Sequence, residues 1–264
     1  MADVNLYWVY DLPNWLFATM VIGTTIFVAL VGQRLTQRWV KRIAGNDGKY
    51  NDLVSTTLAT VGVFFGITLG LISVGTWQTF ADIDTNINQE AATVASLYSS
   101  VSNYPEPANT ALRNSLRDYT KNLIEEDWPQ QRRGIVPQGG TTKIADFQNI
   151  LLRVNPVLEG HIALHSETIS EFNDLLRRRR LRLQSVTTGL PDTLWGVVIF
   201  GGLLNIFIPW FFVYDRQFIQ DIMITLMATT IGLLVFLMAA MDNPFRGEFS
   251  VSAAAFELVY QMMG

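Results

Sequence analysis

Four long stretches without any ionisable residue constrain the fold of this chain more than any other feature of its sequence. They run from Leu12 to Gln33, Leu53 to Ala81, Thr193 to Tyr214 and Ile222 to Met241. Each reaches the roughly 20 residues that a helix needs to cross about 30 Å of hydrocarbon. Aromatic side chains, which favour the headgroup level, stand at their edges: Trp8, Tyr10, Trp15, Trp77, Trp195, Trp210 and Tyr214. The sequence therefore predicts an all-α, polytopic membrane protein with four transmembrane helices.

Composition narrows the function classes. Charged residues make up 16% of the chain, below the roughly 25% usual for a soluble domain. The net charge of −4 offers no basic excess for a nucleic-acid partner. The absence of cysteine excludes disulfides and thiolate metal sites. The amino terminus lacks the basic region of a secretory signal, so we expect the first stretch to stay as a span.

The spans form two pairs that flank a helical extramembrane domain. We expect a first transmembrane pair over residues 1–81, the helical domain over 82–190, a second pair over 191–241, and a carboxy-terminal segment over 242–264 that packs on the domain. The second span continues helically to Val101 without Gly or Pro, which favours one long helix.

Three apolar stripes at helical spacing predict the core of the extramembrane domain. A Trp128-Pro129 pair is expected to end the helix that carries the first stripe. The stripes are Leu112, Leu116, Tyr119 and Leu123; Ile144, Phe147, Leu151, Val154 and Leu158; and Ile169, Phe172 and Leu176.

Basic residues near the membrane do not decide the orientation of the chain. Each side carries the same number of Lys and Arg residues. One side has Arg34, Arg38, Lys41, Arg42, Lys49 and Arg216; the other has Arg177, Arg178, Arg179, Arg180, Arg182 and Arg246.

The second span carries two faces of different character. Gly62, Gly66 and Gly70 form a G-x-x-x-G-x-x-x-G ridge, which lets helix backbones approach closely in lipid. The opposite face and its flank combine apolar and hydroxyl side chains that suit a narrow pore gated by dewetting; lipid or another helix is the alternative neighbour. The pore-lining candidates are Phe64, Thr68, Leu71, Ile72 and Thr76, with Gly75 on the same face.

Other polar groups give no catalytic or metal site. The spans hold no ionisable residue for a proton relay, and we find no motif of a known enzyme class. We therefore expect no enzyme activity, no cofactor and no metal site. His161 and His165 have the spacing of two metal ligands, but Pro156 and Gly160 weaken a helix there, which favours surface residues. The run Arg177–Arg180 either concentrates anions or forms a solvated face paired with Glu171 and Asp174.

Several motifs together resemble one family. They are Glu90-Ala91 after the second span, Tyr119–Pro129, Leu190-Pro191 before the third span, and the segment Asp242–Glu248 after the fourth. The chain resembles a large set of bacterial four-span proteins described as bestrophin-like. The likeness covers nearly the whole chain, and its most specific part is the post-span motif Asp242, Asn243, Pro244, Phe245, Gly247 and Glu248.

Similarity to the true bestrophins is more distant and implies a function. Bestrophins are pentameric ion channels, mostly for anions, whose second spans line a pore and whose large domain is cytoplasmic. The resemblance thus implies a bacterial inner-membrane protein with residues 82–190 in the cytoplasm. Two departures stand out: Arg246 interrupts the Asn-Pro-Phe-Gly pattern that leads to a calcium-holding acidic run, and Thr68 and Thr76 make the pore face more polar.

These observations predict a homo-oligomeric, pentameric ion channel that interacts with the lipid bilayer, with copies of itself and with permeant inorganic ions. Copies of the second span would surround the pore. The alternative is a non-conducting membrane scaffold or sensor whose helical domain binds a protein or a signal. The sequence leaves open the sign of the permeant ion and the gating stimulus.

Overall fold

The computed structural model describes residues 6–44, 49–156, 158–214 and 216–264, and within these ranges every regular element is helical. Short 3₁₀ turns cover Leu6–Asp11 and Ile208–Phe211, and a π turn covers Leu123–Asp127. The α-helices are α1 Asn14–Ala44, α2 Lys49–Val101, α3 Ala108–Asn122, α4 Trp128–Arg132, α5 Gly139–Arg153, α6 Glu159–Ser185, α7 Asp192–Phe207, α8 Gln217–Asp242 and α9 Ala254–Met262.

Four of the described helical segments are long and apolar enough to cross a membrane: Asn14–Ile43, Lys49–Val101, Asp192–Phe211 and Gln217–Asp242. The predicted fold class is confirmed. The predicted continuation of the second span is also confirmed, because α2 is one helix of 53 residues. Of the basic residues near the first two spans, Arg34, Arg38, Lys41 and Arg42 lie on α1, which runs on to Ala44, and Lys49 begins α2.

The chain divides into two compact units. Unit 1 comprises residues 1–78, 189–242 and 247–249, and unit 2 comprises residues 79–188, 243–246 and 250–264. Helix α2 contributes its first part to unit 1 and its remainder to unit 2.

Unit 1 packs its helices through small residues. A Cβ on Gly232 of α8 would lie 3.0 Å from the Cα of Ile22 on α1, and a Cβ on Gly201 of α7 would lie 2.5 Å from the Phe65 ring on α2. Glycine at these points allows the close approach that stabilises helix pairs in lipid. Among the residues buried between α1, α7 and α8 are Ala29, Ile206, Ile224, Ala228 and Ile231.

Unit 2 has the apolar core that the stripes predict. Leu112, Leu116, Tyr119 and Leu123 are buried, as are Ile144, Phe147, Leu151 and Phe172. Leu158 is an exception, being 64% exposed. The prediction for Leu158 was wrong because α5 ends at Arg153, so the helical spacing of its stripe stops there.

The Trp128-Pro129 pair does not end a helix. The chain passes from α3 through the π turn into α4, and the Trp128 N–H donates to the carbonyl of Leu123, five residues back. Proline lacks an N–H and its ring clashes with the normal α-helical partner. The wider turn before Pro129 accommodates this ring, so the helical path continues to Arg132.

Candidate functional site

The proposed pore face of α2 is exposed in the single chain. Phe64 and Leu71 are each 69% exposed, and Gly75 is exposed as well. Thr68 is half-buried, and its hydroxyl donates to the carbonyl of Phe64 at 2.9 Å. This bond leaves the oxygen lone pairs free to face whatever lies beside the helix.

Two other candidates lie against the chain's own helices. Thr76 is only 7% exposed, and its hydroxyl donates to the carbonyl of Ile72 at 3.0 Å. Ile72 is half-buried and packs against the cluster of Leu69, Val198 and Met238. The five side chains therefore spread from an exposed face to a covered flank of α2.

The glycine ridge of α2 is largely uncovered within the subunit. A Cβ on Gly62 would lie 3.4 Å from the amide oxygen of Asn205, whereas a Cβ on Gly66 or Gly70 would find no atom within 4 Å. The tight α2–α7 approach uses Gly201 instead, which the sequence analysis missed. The dipeptide Gly201-Gly202 in a membrane span was the available signal.

The post-span motif holds unit 1 together at the ends of its helices. Asp242, which ends α8, accepts from the backbone N–H of Leu190 and from the indole N–H of Trp195 at 3.2 Å. Glu248 accepts from the backbone N–H of Asn14 at 2.9 Å, where the exposed N–H groups of α1 favour a negative charge. The motif thus links α8 to the starts of α7 and α1.

The middle of the motif belongs to unit 2. Phe245 is buried, with its ring centre 5.7 Å from that of Trp128. Arg246 donates to the carbonyl of Arg133 at 2.7 Å, just past the end of α4. Its guanidinium lies where a side chain at Gly134 would have to be, and Gly134 has a φ of +73° that favours glycine. Arg246 therefore caps α4 with a positive charge.

The hydrogen bonds of the post-span motif bear on whether it resembles the calcium-holding segment of bestrophins. Asp242 and Glu248 both accept hydrogen bonds from protein N–H groups. Among the described residues, no group of three or more His, Asp or Glu side chains is placed to hold a metal ion. The Arg246 side chain adds a positive charge to the post-span motif.

A buried ion pair lies in unit 2, which the sequence analysis did not predict. Arg182 donates to both carboxylate oxygens of Glu90, at 2.8 and 3.1 Å, and neither side chain has measurable exposure. Glu90 stands in the buried face of α2 that also carries Ile83, Ile87, Val94 and Leu97. A carboxylate inside an apolar helical stripe was the signal that could have revealed it.

A second buried carboxylate, Asp127, ends the π turn. It accepts from the Asn122 amide at 3.1 Å. Burial raises its pKa, while the positive charges of Arg182 and Arg179 act in the opposite direction. Arg179 also donates to the Thr141 hydroxyl at 3.0 Å. Unit 2 thus encloses two carboxylates and two guanidiniums.

The run Arg177–Arg180 has three different environments. Arg177 and Arg178 pair with Asp174, and Arg177, then Arg178, keep the pKa of that carboxyl below its usual range. Arg179 is buried and Arg180 is exposed. Glu171 accepts from Ser96 and Ser100 on α2 rather than from this run. The paired-face interpretation therefore holds for Asp174 but not for Glu171.

The two histidines lie on α6, one helical turn apart. The ring nitrogen Nδ1 of His165 lies 2.8 Å from the hydroxyl of Tyr104. His161 lines a cleft beside Tyr104, Val154 and Leu164.

The spans and the helical segment between them define the class of the protein: a polytopic, all-helical membrane protein. A family model described as the Bestrophin-like domain matches residues 23–256. The chain therefore belongs to the Bestrophin-like family, as its motifs predicted. No curated protein matches it.

Solved structures share its fold. A bestrophin homologue from Klebsiella pneumoniae, in a crystal structure with a point mutation, matches with a TM-score of 0.70 at 12% identity, covering 93% of this chain and 97% of that one. A crystal structure of a Klebsiella pneumoniae homologue phased with zinc matches with a TM-score of 0.65 at 13% identity, covering 92% and 96%. At this identity the likeness concerns the fold.

Proposed function

We propose that this chain is the subunit of a homo-oligomeric ion channel, with five copies of α2 around the pore. The observation that carries the proposal is the small fraction of the α2 span that is buried by the rest of its own chain. Only 6% of the residues in its most apolar window are buried, against 11% in the first span, 22% in the fourth and 28% in the third. A helix with so little cover from its own chain needs other neighbours.

The distribution of side chains around α2 supports a pore on one side of it. Leu69 and Thr76 face the chain's own helices. Phe64 and Leu71 point away from that face because they lie about 120 to 160° around the helix from those residues. A ring of such apolar side chains excludes water from a narrow constriction, and the Thr68 hydroxyls provide partial solvation for an ion.

The ridge at Gly66 and Gly70 supports assembly. Because a Cβ would meet nothing within 4 Å at either position, another copy of the chain has room to approach the backbone. Small residues at this spacing stabilise helix pairs in lipid by close packing. The five-fold number comes from the similarity to bestrophins, and the ring geometry is part of the proposal.

Phe64, Thr68 and Leu71 are the best supported lining residues. Ile72 and Thr76 stay in the predicted set, but their contacts within the subunit place them at the flank of the proposed pore. The extramembrane helices are proposed to face the cytoplasm of a bacterial cell and the spans to cross its inner membrane. Asp242 and Glu248 would fasten the ends of the spans within unit 1.

Conductance tests the proposal. Purified protein in planar bilayers should give ionic currents, and Phe64→Ala should change the unitary conductance several-fold because it widens the constriction. Phe200→Ala is the matched control, since Phe200 is an equally large side chain, 65% exposed, on α7. Leu71→Ala and Leu226→Ala form a second pair on α2 and α8.

Two results would contradict the proposal. Absence of current from a folded, assembled wild type would favour the non-conducting scaffold or sensor. Currents that respond equally to Phe64→Ala and Phe200→Ala would remove the exposed face of α2 from the pore.

A further inference from the structure

Buried polar side chains of unit 2 stand on two helical segments, the π turn with α4 and the last part of α6. Asp127 and Gln131 are four residues apart and lie on one side of their helical segment, while Arg179 and Arg182 are three apart on α6. Asp127, Gln131 and Arg182 have no measurable exposure, and Arg179 is buried as well. These side chains are cut off from bulk solvent.

Short distances join the two sides of this group. A Cβ on Gly140 would lie 2.5 Å from the Oδ2 atom of Asp127 and 3.5 Å from the Nη2 atom of Arg179. The charges of Arg182 and Arg179 both act on Asp127. The carboxylate and the guanidiniums therefore share one region next to the first turn of α5.

Several of their atoms have no hydrogen-bond partner within the described chain. These atoms are Nε2 and Oε1 of Gln131, Nε of Arg179, Nη1 of Arg182 and Oδ2 of Asp127. The Gly140 amide lies near enough to favour the ionised carboxylate, but it does not form a bond of good geometry with Oδ2. Buried polar atoms are almost always bonded, because leaving them unpaired is costly.

The chemistry of these atoms selects the missing partner. They include donors on two guanidiniums and one amide, and acceptors on one amide and one carboxylate. The charges of Glu90 and Asp127 already balance those of Arg179 and Arg182. An anion would meet Asp127 and a cation would meet the guanidiniums, so a small neutral molecule that both donates and accepts fits best. Water is that molecule, and buried waters commonly bridge such groups.

We infer that ordered water molecules occupy the interior of unit 2 between the π turn and α6, bonded to Gln131, Arg179, Arg182 and Asp127. The π turn contributes because it ends at Asp127, whose carboxylate lies within reach of the charges of Arg182 and Arg179 on α6. The water site belongs to the folding of unit 2 and does not depend on ion conduction.

A density map of the full chain in lipid nanodiscs tests the inference directly. At a resolution that shows ordered waters elsewhere in unit 2, peaks should stand within about 3.2 Å of Gln131 and of Nη1 of Arg182. Well-resolved side chains without such peaks would overturn the inference. So would direct hydrogen bonds between the same side chains that leave no room for water.

Thermal unfolding gives a second test, because the direction of the change in Tm depends on whether water occupies the region. If water satisfies Gln131, then Gln131→Leu strands that water and should lower the Tm by about 3–10 °C. If the region is dry, leucine removes two unsatisfied atoms and the Tm should stay level or rise, which would overturn the inference. Gln130→Leu is the matched control on the neighbouring, more exposed position and should shift the Tm by less than about 2 °C.

A third test uses two arginine variants, so that the inference stays testable if Gln131→Leu does not fold. Arg179→Met removes the unpartnered Nε, while Arg180→Met changes the exposed neighbour in the same run. With a hydrated site, the water peaks near Gln131 should persist or shift in Arg179→Met and stay unchanged in Arg180→Met. Absence of those peaks in both folded variants would count against the inference.

Discussion

Two parts of the same helix, α2, expose opposite kinds of side chain. In unit 1 its exposed residues include Val63, Phe64, Ile67 and Leu71, whereas in unit 2 its apolar residues such as Leu97 are buried and exposed positions carry polar or small side chains. A large exposed apolar surface is rare on a soluble monomer and usually marks a protein or membrane interaction site. The difference marks the part of α2 whose side chains suit apolar neighbours rather than water.

The two units also differ in whether charged side chains lie in their interior. The apolar window of each span in unit 1 lacks ionisable residues, and its helices approach through glycine. Unit 2 buries Glu90 and Arg182 as a bonded pair. A charged side chain inside lipid is energetically costly and is kept mainly where it has a function. A domain outside the membrane can bury a charged side chain when an oppositely charged group pairs with it.

The largest expected effect comes from breaking that ion pair. Arg182→Met leaves the Glu90 carboxylate buried without its partner, so we expect a loss of about 3–5 kcal/mol in the free energy of unfolding. Thermal and denaturant unfolding in detergent measure it. Arg180→Met, on the exposed side of α6, is the control and should change little.

The double variant Glu90→Leu with Arg182→Met separates charge from packing. Replacing both partners removes the uncompensated charge, so stability should recover at least in part. A double variant that is less stable than Arg182→Met alone would contradict this account.

A pair of leucines on α2 tests the contrast between its two parts. Leu97 has no exposure and Leu71 is 69% exposed. Leu97→Ala should cost about 2–4 kcal/mol because it leaves a cavity, and Leu71→Ala in a detergent-solubilised chain about 0.5 kcal/mol or less. Conductance should show the reverse order of effects. Equal losses of stability would mean that Leu71 lies in a packed core.

Arg246 should have a smaller effect. Arg246→Met removes the bond to the carbonyl of Arg133, and we expect a loss of about 1 kcal/mol because the side chain is partly exposed. Hydrogen exchange should rise at residues 131–135 in the variant. Arg132→Met, an exposed neighbour, serves as the control, and equal exchange in both variants would exclude the cap.

The smallest expected effect is a pH dependence at Asp127. Burial raises the pKa of Asp127 from its ordinary 3.8, so the folded chain holds this proton more tightly than the unfolded chain. The resulting stability is fully present below the unfolded pKa and is lost as the pH rises through the folded pKa. Asn cannot titrate, so the Tm of Asp127→Asn relative to the wild type should be higher at pH 7 than at pH 4. A constant difference would contradict the assignment.

The sequence predicted the fold because hydrophobic length and helical spacing are local properties. The four spans, the long α2 and most of the core of unit 2 followed from them. The continuation past Pro129 was missed, since a π turn that accommodates a proline ring does not follow from regular helical spacing. Glu90 was missed as a buried residue because its partner Arg182 lies 92 residues away.

The candidate pore was less predictable for a different reason. The exposure of Phe64 and Leu71 is visible in one chain, but the neighbours of these side chains lie outside that chain. Thr76 illustrates the limit: its spacing made it a pore-lining candidate, yet its side chain is covered by its own chain. Spacing gives the angle around the helix and not the identity of the neighbour.

Single-particle imaging of the full chain in lipid nanodiscs, viewed along the membrane normal, tests the central claim most directly. We predict a closed ring of copies with α2 innermost and with Phe64 and Leu71 directed at a central opening. A monomer, a closed dimer, or a ring whose Phe64 and Leu71 side chains contact lipid would contradict it.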